Sequence, residues 1–232
     1  MRQNMLHTHS YIIDAIKTIA YALGDLNEQV VYVGGAVIGM YVDETGAPEM
    51  RPTKDVDIVF EIATMYQLEK VRQKLEKCGI HFSHEENILC RFKYQHILLD
   101  VMSTQEVGWA PANPWFKEGF SKSFVQNIED ISVRIMPLPY FLASKFSAFQ
   151  SRGTDPRTSH DFEDVVYLLD NSSMWEDKIK EADEKVKAFL VKELDQIIHN
   201  LLLQEAVLAH LEPETQTARY DLLVQRVMNL VQ

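Results

Sequence analysis

A chain of 232 residues, 46% hydrophobic and 25% charged, has the composition of an ordinary globular protein, with apolar mass for one generous domain or two modest ones. A formal net charge of −11 argues against a broad surface for coating nucleic acid, which needs clustered Lys and Arg, but leaves room for a local basic patch. No apolar run approaches the roughly 20 residues of a bilayer-spanning helix, and residues 1–11 carry no apolar signal core, so a soluble cytoplasmic protein is expected.

In chain order, Ile12, Ile13, Ile16, Ile19, Ala20 and Leu23 repeat at helical spacing and predict a helix over 10–26, with Ser10 available as its cap. The β-rich run Val30-Val31-Tyr32-Val33 ends in Gly34-Gly35, and the apolar residues 36–42 read as a helical turn or two. Residues 43–53 contain Gly46, Pro48 and Pro52 and predict a loop. From 55 to 62 the pattern alternates: Val56, Ile58, Phe60 and Ile62 share one side, while Asp55, Asp57, Val59 and Glu61 share the other. Leu68, Val71 and Leu75 make 65–78 an amphipathic helix that Gly79 stops. Strand-like runs follow at 80–83, 88–94 and 96–102, with a turn near Gln95-His96. Residues 107–124 read as an aromatic-rich loop, and 131–136 as a last strand.

After Pro137 the character becomes helical, with helices expected at 140–152, 160–169, 175–203 (with a break allowed) and 215–231. The expected fold class is α+β: a small mixed sheet with flanking helices over 1–136, then an all-helical C-terminal domain over 137–232. Cys78 and Cys90 lack metal-ligand spacing and read as two reduced thiols. The acceptor-like Asn171-Ser172-Ser173 reads as chance, and His7 with His9 as a terminal pair without function.

The chemistry lies in three acids. Asp55 and Asp57, two apart on a strand, project to one side and can share cations. Asp100 stands alone in the apolar run Ile97-Leu98-Leu99-Asp100-Val101-Met102, where an unpaired acid is costly to bury. If the two strands are neighbours, three carboxylates converge, and divalent cations would relieve their repulsion. That layout suits two-metal phosphoryl transfer, with Mg²⁺ ions roughly 3.5–4 Å apart serving the attacking oxygen and the leaving pyrophosphate. Asp100 then deprotonates the acceptor hydroxyl or holds its metal. Gly34-Gly35, between a strand and a short helix, lets backbone N–H groups approach a triphosphate, although such a pair is more often only a tight turn. Thr53 either donates to a phosphate or caps the strand. An isolated Asp-x-Asp is usually a solvated strand edge, and the order of these features gives it weight.

The ordered set Val33-Gly34-Gly35-Ala36, Arg51-Pro52-Thr53-Lys54-Asp55-Val56-Asp57-Ile58-Val59 and Leu99-Asp100-Val101 resembles the polymerase β nucleotidyltransferase superfamily. The tail segments Lys145-Phe146-Ser147-Ala148-Phe149-Gln150-Ser151-Arg152 and His160-Asp161-Phe162-Glu163-Asp164 look like the Lys-x-x-Ala-x-x-x-Arg and Asp-x-x-Asp helices of its AbiEii-type group, which includes type IV toxins. The resemblance spans roughly residues 30 to 170. It implies that Asp55, Asp57 and Asp100 hold two Mg²⁺ ions and that Gly34 and Gly35 bind the phosphates of an NTP. It further implies transfer of an NMP to an RNA or tRNA end, or to a protein hydroxyl, and a possible cognate antitoxin.

Lys145, Ala148 and Arg152 share a helix face, so Ala148 permits close packing while the two cations turn toward a triphosphate. Asp161 has three roles open to it: orienting Arg152, touching the nucleotide, or acting as the general base. Asp164 and Arg157 read equally well as parts of an interhelical salt-bridge network. Two departures from the pattern bear on the acceptor: an insertion over 43–52, and His160 where Lys or Arg is common. Trp109 and Trp115 are expected to pin their loop to the core rather than stack on a base. The alternatives are a small-molecule, aminoglycoside-like nucleotidyltransferase and a non-catalytic nucleotide-binding module.

Overall fold

The apolar run Val30–Val33 becomes β1, buried along its whole length near the middle of a seven-stranded sheet. The computed structural model describes residues 2–43, 47–48, 50–84 and 88–231. The chain divides into two compact units, Met1–Met40 with Glu49–Pro137, and Tyr41–Pro48 with Leu138–Gln232.

In the first unit the strands are β1, β2 (Asp55–Phe60), β3 (His81–Phe82), β4 (Arg91–Tyr94), β5 (Ile97–Ser103), β6 (Phe124–Ile128) and β7 (Ile131–Ile135). Their order is β3-β4-β5-β2-β1-β7-β6. β2 pairs parallel with β5, β1 pairs parallel with β7, and the other neighbours are antiparallel. The most buried strands are β1 and β2, which lie side by side in the interior of the sheet. Helix α1 (Arg2–Leu23) buries Ile12, Ala15, Ile16, Ile19, Ala20 and Leu23, the face read from the sequence with Ala15 in place of Ile13. It begins eight residues earlier than expected, so Ser10 lies inside the helix and not at its start; no Pro or Gly interrupts residues 2–10. The His7 and His9 side chains lie outside the described residues. Lys17 ties α1 to Glu129 and Asp130 in the turn between β6 and β7.

Helix α2 (Met65–Lys77) opens on a capping box, in which Thr64 accepts from the N–H of Gln67 and the Gln67 side chain accepts from that of Thr64. Gly79, at φ +74°, ends it as the sequence implied. Residues 107–124 are not all loop. They contain α3 (Phe116–Ser121), anchored by buried Trp115, Phe116 and Phe120, and the first residue of β6. β6 is an edge strand with exposed Phe124 and Val125, so the alternation that signals a half-buried strand is missing from it. Trp115 is buried and the Trp109 ring lies 5.3 Å from that of Phe92, so both tryptophans do pin this segment to the core.

The second unit is helical: α4 (Leu138–Arg152), α5 (His160–Asn171), α6 (Trp175–Lys180), α7 (Glu184–His199), α8 (Leu201–His210) and α9 (Gln216–Val231). The long helix expected over 175–203 is broken twice, before the turn of α7 and at Asn200, whose side chain caps α8 through the N–H of Leu202. Phe162, Leu168, Trp175, Val186, Leu190, Leu194, Val207 and Val227 fill the core. The segment Tyr41–Pro48 belongs with these helices. Tyr41 stacks on Phe141 at 4.7 Å, Ser173 donates to Asp43 from its N–H and its hydroxyl at 2.8 Å each, and Tyr167 donates to the Pro48 carbonyl at 2.8 Å. Asn171 and Ser172 are buried, which makes the glycosylation-like triplet inaccessible. No helix among the described residues is long and apolar enough to cross a membrane.

Candidate active site

The parallel pairing of β2 with β5 sets Asp57 directly beside Asp100, and Asp55 lies two residues along the same strand face. All three acids thus gather where β2 begins. On the other side of β2, Val33 pairs with Asp57, so the chain leaves β1 and turns at Gly34 against that carboxylate. Gly34 has φ +72°, and a Cβ there would fall 1.8 Å from Asp57 Oδ2. Glycine is therefore required twice over, by conformation and by space. A Cβ on Gly35 would meet Arg51 Nη2 at 3.0 Å and Thr53 Oγ1 at 3.2 Å, so the second glycine lies under a guanidinium. The Thr53 hydroxyl donates to Asp55 Oδ1 at 3.0 Å; this orients a carboxylate, a role the sequence had not suggested for it.

Sequence reasoning missed Arg91. Its buried guanidinium donates from Nε to Asp100 Oδ1 at 2.7 Å, from Nη2 to Asp100 Oδ2 at 2.8 Å, and from Nη2 to Asp55 Oδ2 at 2.7 Å. Its side chain is only 9% exposed. The signal was present in the register: a hairpin turning at Gln95-His96 pairs Tyr94 with Ile97, and counting back sets Arg91 opposite Asp100. The forked pairing is the strong, geometrically specific form of an Arg–carboxylate contact. Beside it, burial pushes the Cys90 thiol up to about 11, with the negative charges of Asp100 and Asp57 adding to the rise, so Cys90 is an inert thiol.

The three carboxylates offer only hard oxygen donors on one face, which suits a divalent cation such as Mg²⁺. Their present arrangement serves the guanidinium instead. Among the described residues no group of three or more His, Cys, Asp or Glu side chains is set to hold a metal ion.

In the helical unit, Lys145 is buried and donates from Nζ to Asp164 Oδ2 at 2.7 Å and to Asp161 Oδ1 at 3.3 Å. Arg152 Nη1 donates to the other oxygen of Asp161, while its side chain stays 63% exposed. Asp161 therefore bridges the two cations of α4. Asp164 is in the expected interhelical ion pair, whereas Arg157 pairs with Asp155 and Glu205. His160 is exposed beside Glu163.

Residues 19–231 match the family model described as nucleotidyl transferase AbiEii toxin, type IV TA system. The chain belongs to the AbiEii family. It is a nucleotidyltransferase, as the resemblance implied. Among solved structures, it is similar to an antigenic nucleotidyltransferase-like protein from Paracoccidioides brasiliensis, at 17% identity and a TM-score of 0.51 over 84% of this chain and 93% of that one. It is also similar to the antibiotic-resistance factor ANT(2'')-Ia, at 15% identity and a TM-score of 0.50 over 82% of this chain and 96% of that one. At such identities these likenesses concern the fold, an α+β architecture shared with nucleotidyltransferases. No curated protein matches the sequence.

Within this AbiEii-family chain the strand β2 carries two of the three acids and also pairs with the strands that bring Gly34 and Asp100 to them. Its burial on both faces beyond Asp57 fixes their position.

Proposed function

We infer that this AbiEii-family enzyme transfers a nucleoside monophosphate from an NTP to a hydroxyl of an RNA or tRNA end, or of a protein, and releases pyrophosphate. The observation that carries the reading is the meeting of Asp55, Asp57 and Asp100 at one end of the sheet, against the left-handed turn at Gly34. The transfer chemistry belongs to the first unit, Met1–Met40 with Glu49–Pro137.

Asp55, Asp57 and Asp100 would hold Mg²⁺, two ions in the full complement, which when bound activate the attacking oxygen and steady the leaving pyrophosphate. The side-chain-free turn at Gly34 and Gly35 lets the triphosphate approach the backbone N–H groups, with Arg51 close by as a counter-charge. Thr53 keeps Asp55 oriented through its hydroxyl. Asp100, beside Asp57 on the neighbouring strand, would hold the metal of the attacking hydroxyl or accept its proton. Within the helical unit Asp161 holds the exposed guanidinium of Arg152, which we assign to phosphate recognition, while Lys145 is committed to two carboxylates.

The net charge of −11 favours a small or protein acceptor over a long RNA. The type IV description of the family adds a cognate antitoxin as a partner. The test is calorimetric binding of ATP, GTP, CTP and UTP, with and without Mg²⁺, to the wild type and to Asp57→Ala. Mg²⁺-dependent binding of at least one nucleotide that is lost in the variant supports the site; α-labelled nucleotide then identifies the acceptor class. Nucleotide binding that survives in Asp57→Ala, or fails everywhere, would count against it.

A further inference from the structure

A site meant for divalent cations has a cation of its own. Arg91 stands on β4, opposite Asp100, and its fork takes one lone pair from each oxygen of Asp100 and one from Asp55. Its side chain is nearly buried, at 9% exposure, against 14% for Asp100 and 27% for Asp55. Poorly solvated carboxylates at neighbouring strand positions repel one another unless a positive group stands among them. Arg91 supplies that group, and no set of acids among the described residues is otherwise arranged around a metal position.

We propose that Arg91 is the internal counter-ion of the carboxylate triad, holding it together without metal and competing with the divalent cation for Asp55 and Asp100. This rests on the nucleotidyl-transfer reading above. A divalent ion entering beside a fixed guanidinium meets both repulsion and occupied oxygens, since Mg²⁺ needs ligand oxygens in near-octahedral array at about 2.0–2.1 Å. Bare metal is therefore held weakly. An ion that arrives on a triphosphate brings negative charge that offsets the repulsion and offers Arg91 another oxygen acceptor. Arg91 thus makes the site select the metal–nucleotide complex over the metal alone.

The test measures Mn²⁺ binding to the full chain by the electron paramagnetic resonance of free Mn²⁺, without nucleotide, for wild type, Arg91→Met and Arg91→Lys. Removing the charge is expected to tighten Mn²⁺ binding by about tenfold or more, because the competing ion is gone, with Arg91→Lys close to wild type. If Arg91 only braces the carboxylates, Arg91→Met splays them and binds Mn²⁺ no better than wild type or worse, and the proposal is overturned. A second measurement uses the wild type alone, in case Arg91→Met does not fold. Its melting temperature should rise little with Mn²⁺ and clearly with Mn²⁺ plus a non-hydrolysable NTP analogue; an equal rise from Mn²⁺ alone overturns the counter-ion role. Failure of these results in a protein that binds NTP with Mg²⁺ removes Arg91's role and leaves the transferase reading standing. A wild type that binds neither Mn²⁺ nor nucleotide removes both.

Discussion

Gly34 lies so close against Asp57 that a methyl group on its Cα would fall 1.8 Å from the carboxylate Oδ2. The backbone there is left-handed, at φ +72°, a conformation that L side chains rarely adopt. Position 34 thus limits where Asp57 can stand.

We predict that Gly34→Ala costs about 1–3 kcal/mol of stability and displaces Asp57, with loss of Mg²⁺-dependent nucleotide binding. Gly24 is the control: it is left-handed too, at φ +53°, but a Cβ would meet nothing within 4 Å. Gly24→Ala should cost about 1–2 kcal/mol and leave nucleotide binding unchanged. Urea unfolding and calorimetry of both variants would check this, and equal nucleotide affinities in the two would sink the steric account.

Lys145 is buried between Asp161 and Asp164. Lys145→Met should destabilise the helical domain by about 3–5 kcal/mol, since it takes the buried cation away from two buried carboxylates. Adding Asp164→Asn should recover part of that loss. A single variant within about 1 kcal/mol of wild type in urea unfolding would show that the network bears little of the stability.

Arg152 invites the opposite expectation. Its side chain is largely exposed, so Arg152→Ala should change stability by no more than about 1 kcal/mol. If its guanidinium meets a phosphate, the same change weakens NTP binding by about tenfold or more. Unaltered affinity in Arg152→Ala would remove it from the nucleotide site.

Cys90 gives a pH dependence whose sign is fixed by burial. Its thiol is raised from 9.0 to about 11, so the folded protein holds the proton more firmly than the unfolded chain does. The associated stability is present below pH 9 and is lost as pH climbs toward 11. Urea midpoints should therefore fall more steeply over that window in wild type than in Cys90→Ala, while identical slopes would refute it.

The sequence alone determined the elements whose signals are local. Alternation in Asp55–Phe60 marked β2 and put Asp55 and Asp57 on one face, because strand side chains repeat every two residues. Helical spacing marked the buried stripe of α1, and Gly79 marked the end of α2. The order of Gly34-Gly35, Asp55-x-Asp57 and Asp100 pointed to the polymerase β superfamily, and the segments 145–152 and 160–164 to its AbiEii group. The short helix α3 and the edge strand β6 escaped notice because neither has a clear period: one is too short, the other too little buried.

Only the tertiary structure decided which charges meet. Ion pairs depend on strand register and helix packing, and those are set by burial summed over many residues rather than by neighbours in sequence. Nothing in the composition around Arg91 distinguishes it from a solvated strand cation, yet pairing with β5 drives it onto Asp100 and Asp55. Lys145 and Arg152 share a helix face in the sequence, but packing of α4 on α5 buries the first among carboxylates and leaves the second in solvent. The backbone pattern was local and therefore readable; which charges meet follows from strand register and helix packing, even where, as for Arg91 and Asp100, the partners lie on adjacent strands of one hairpin.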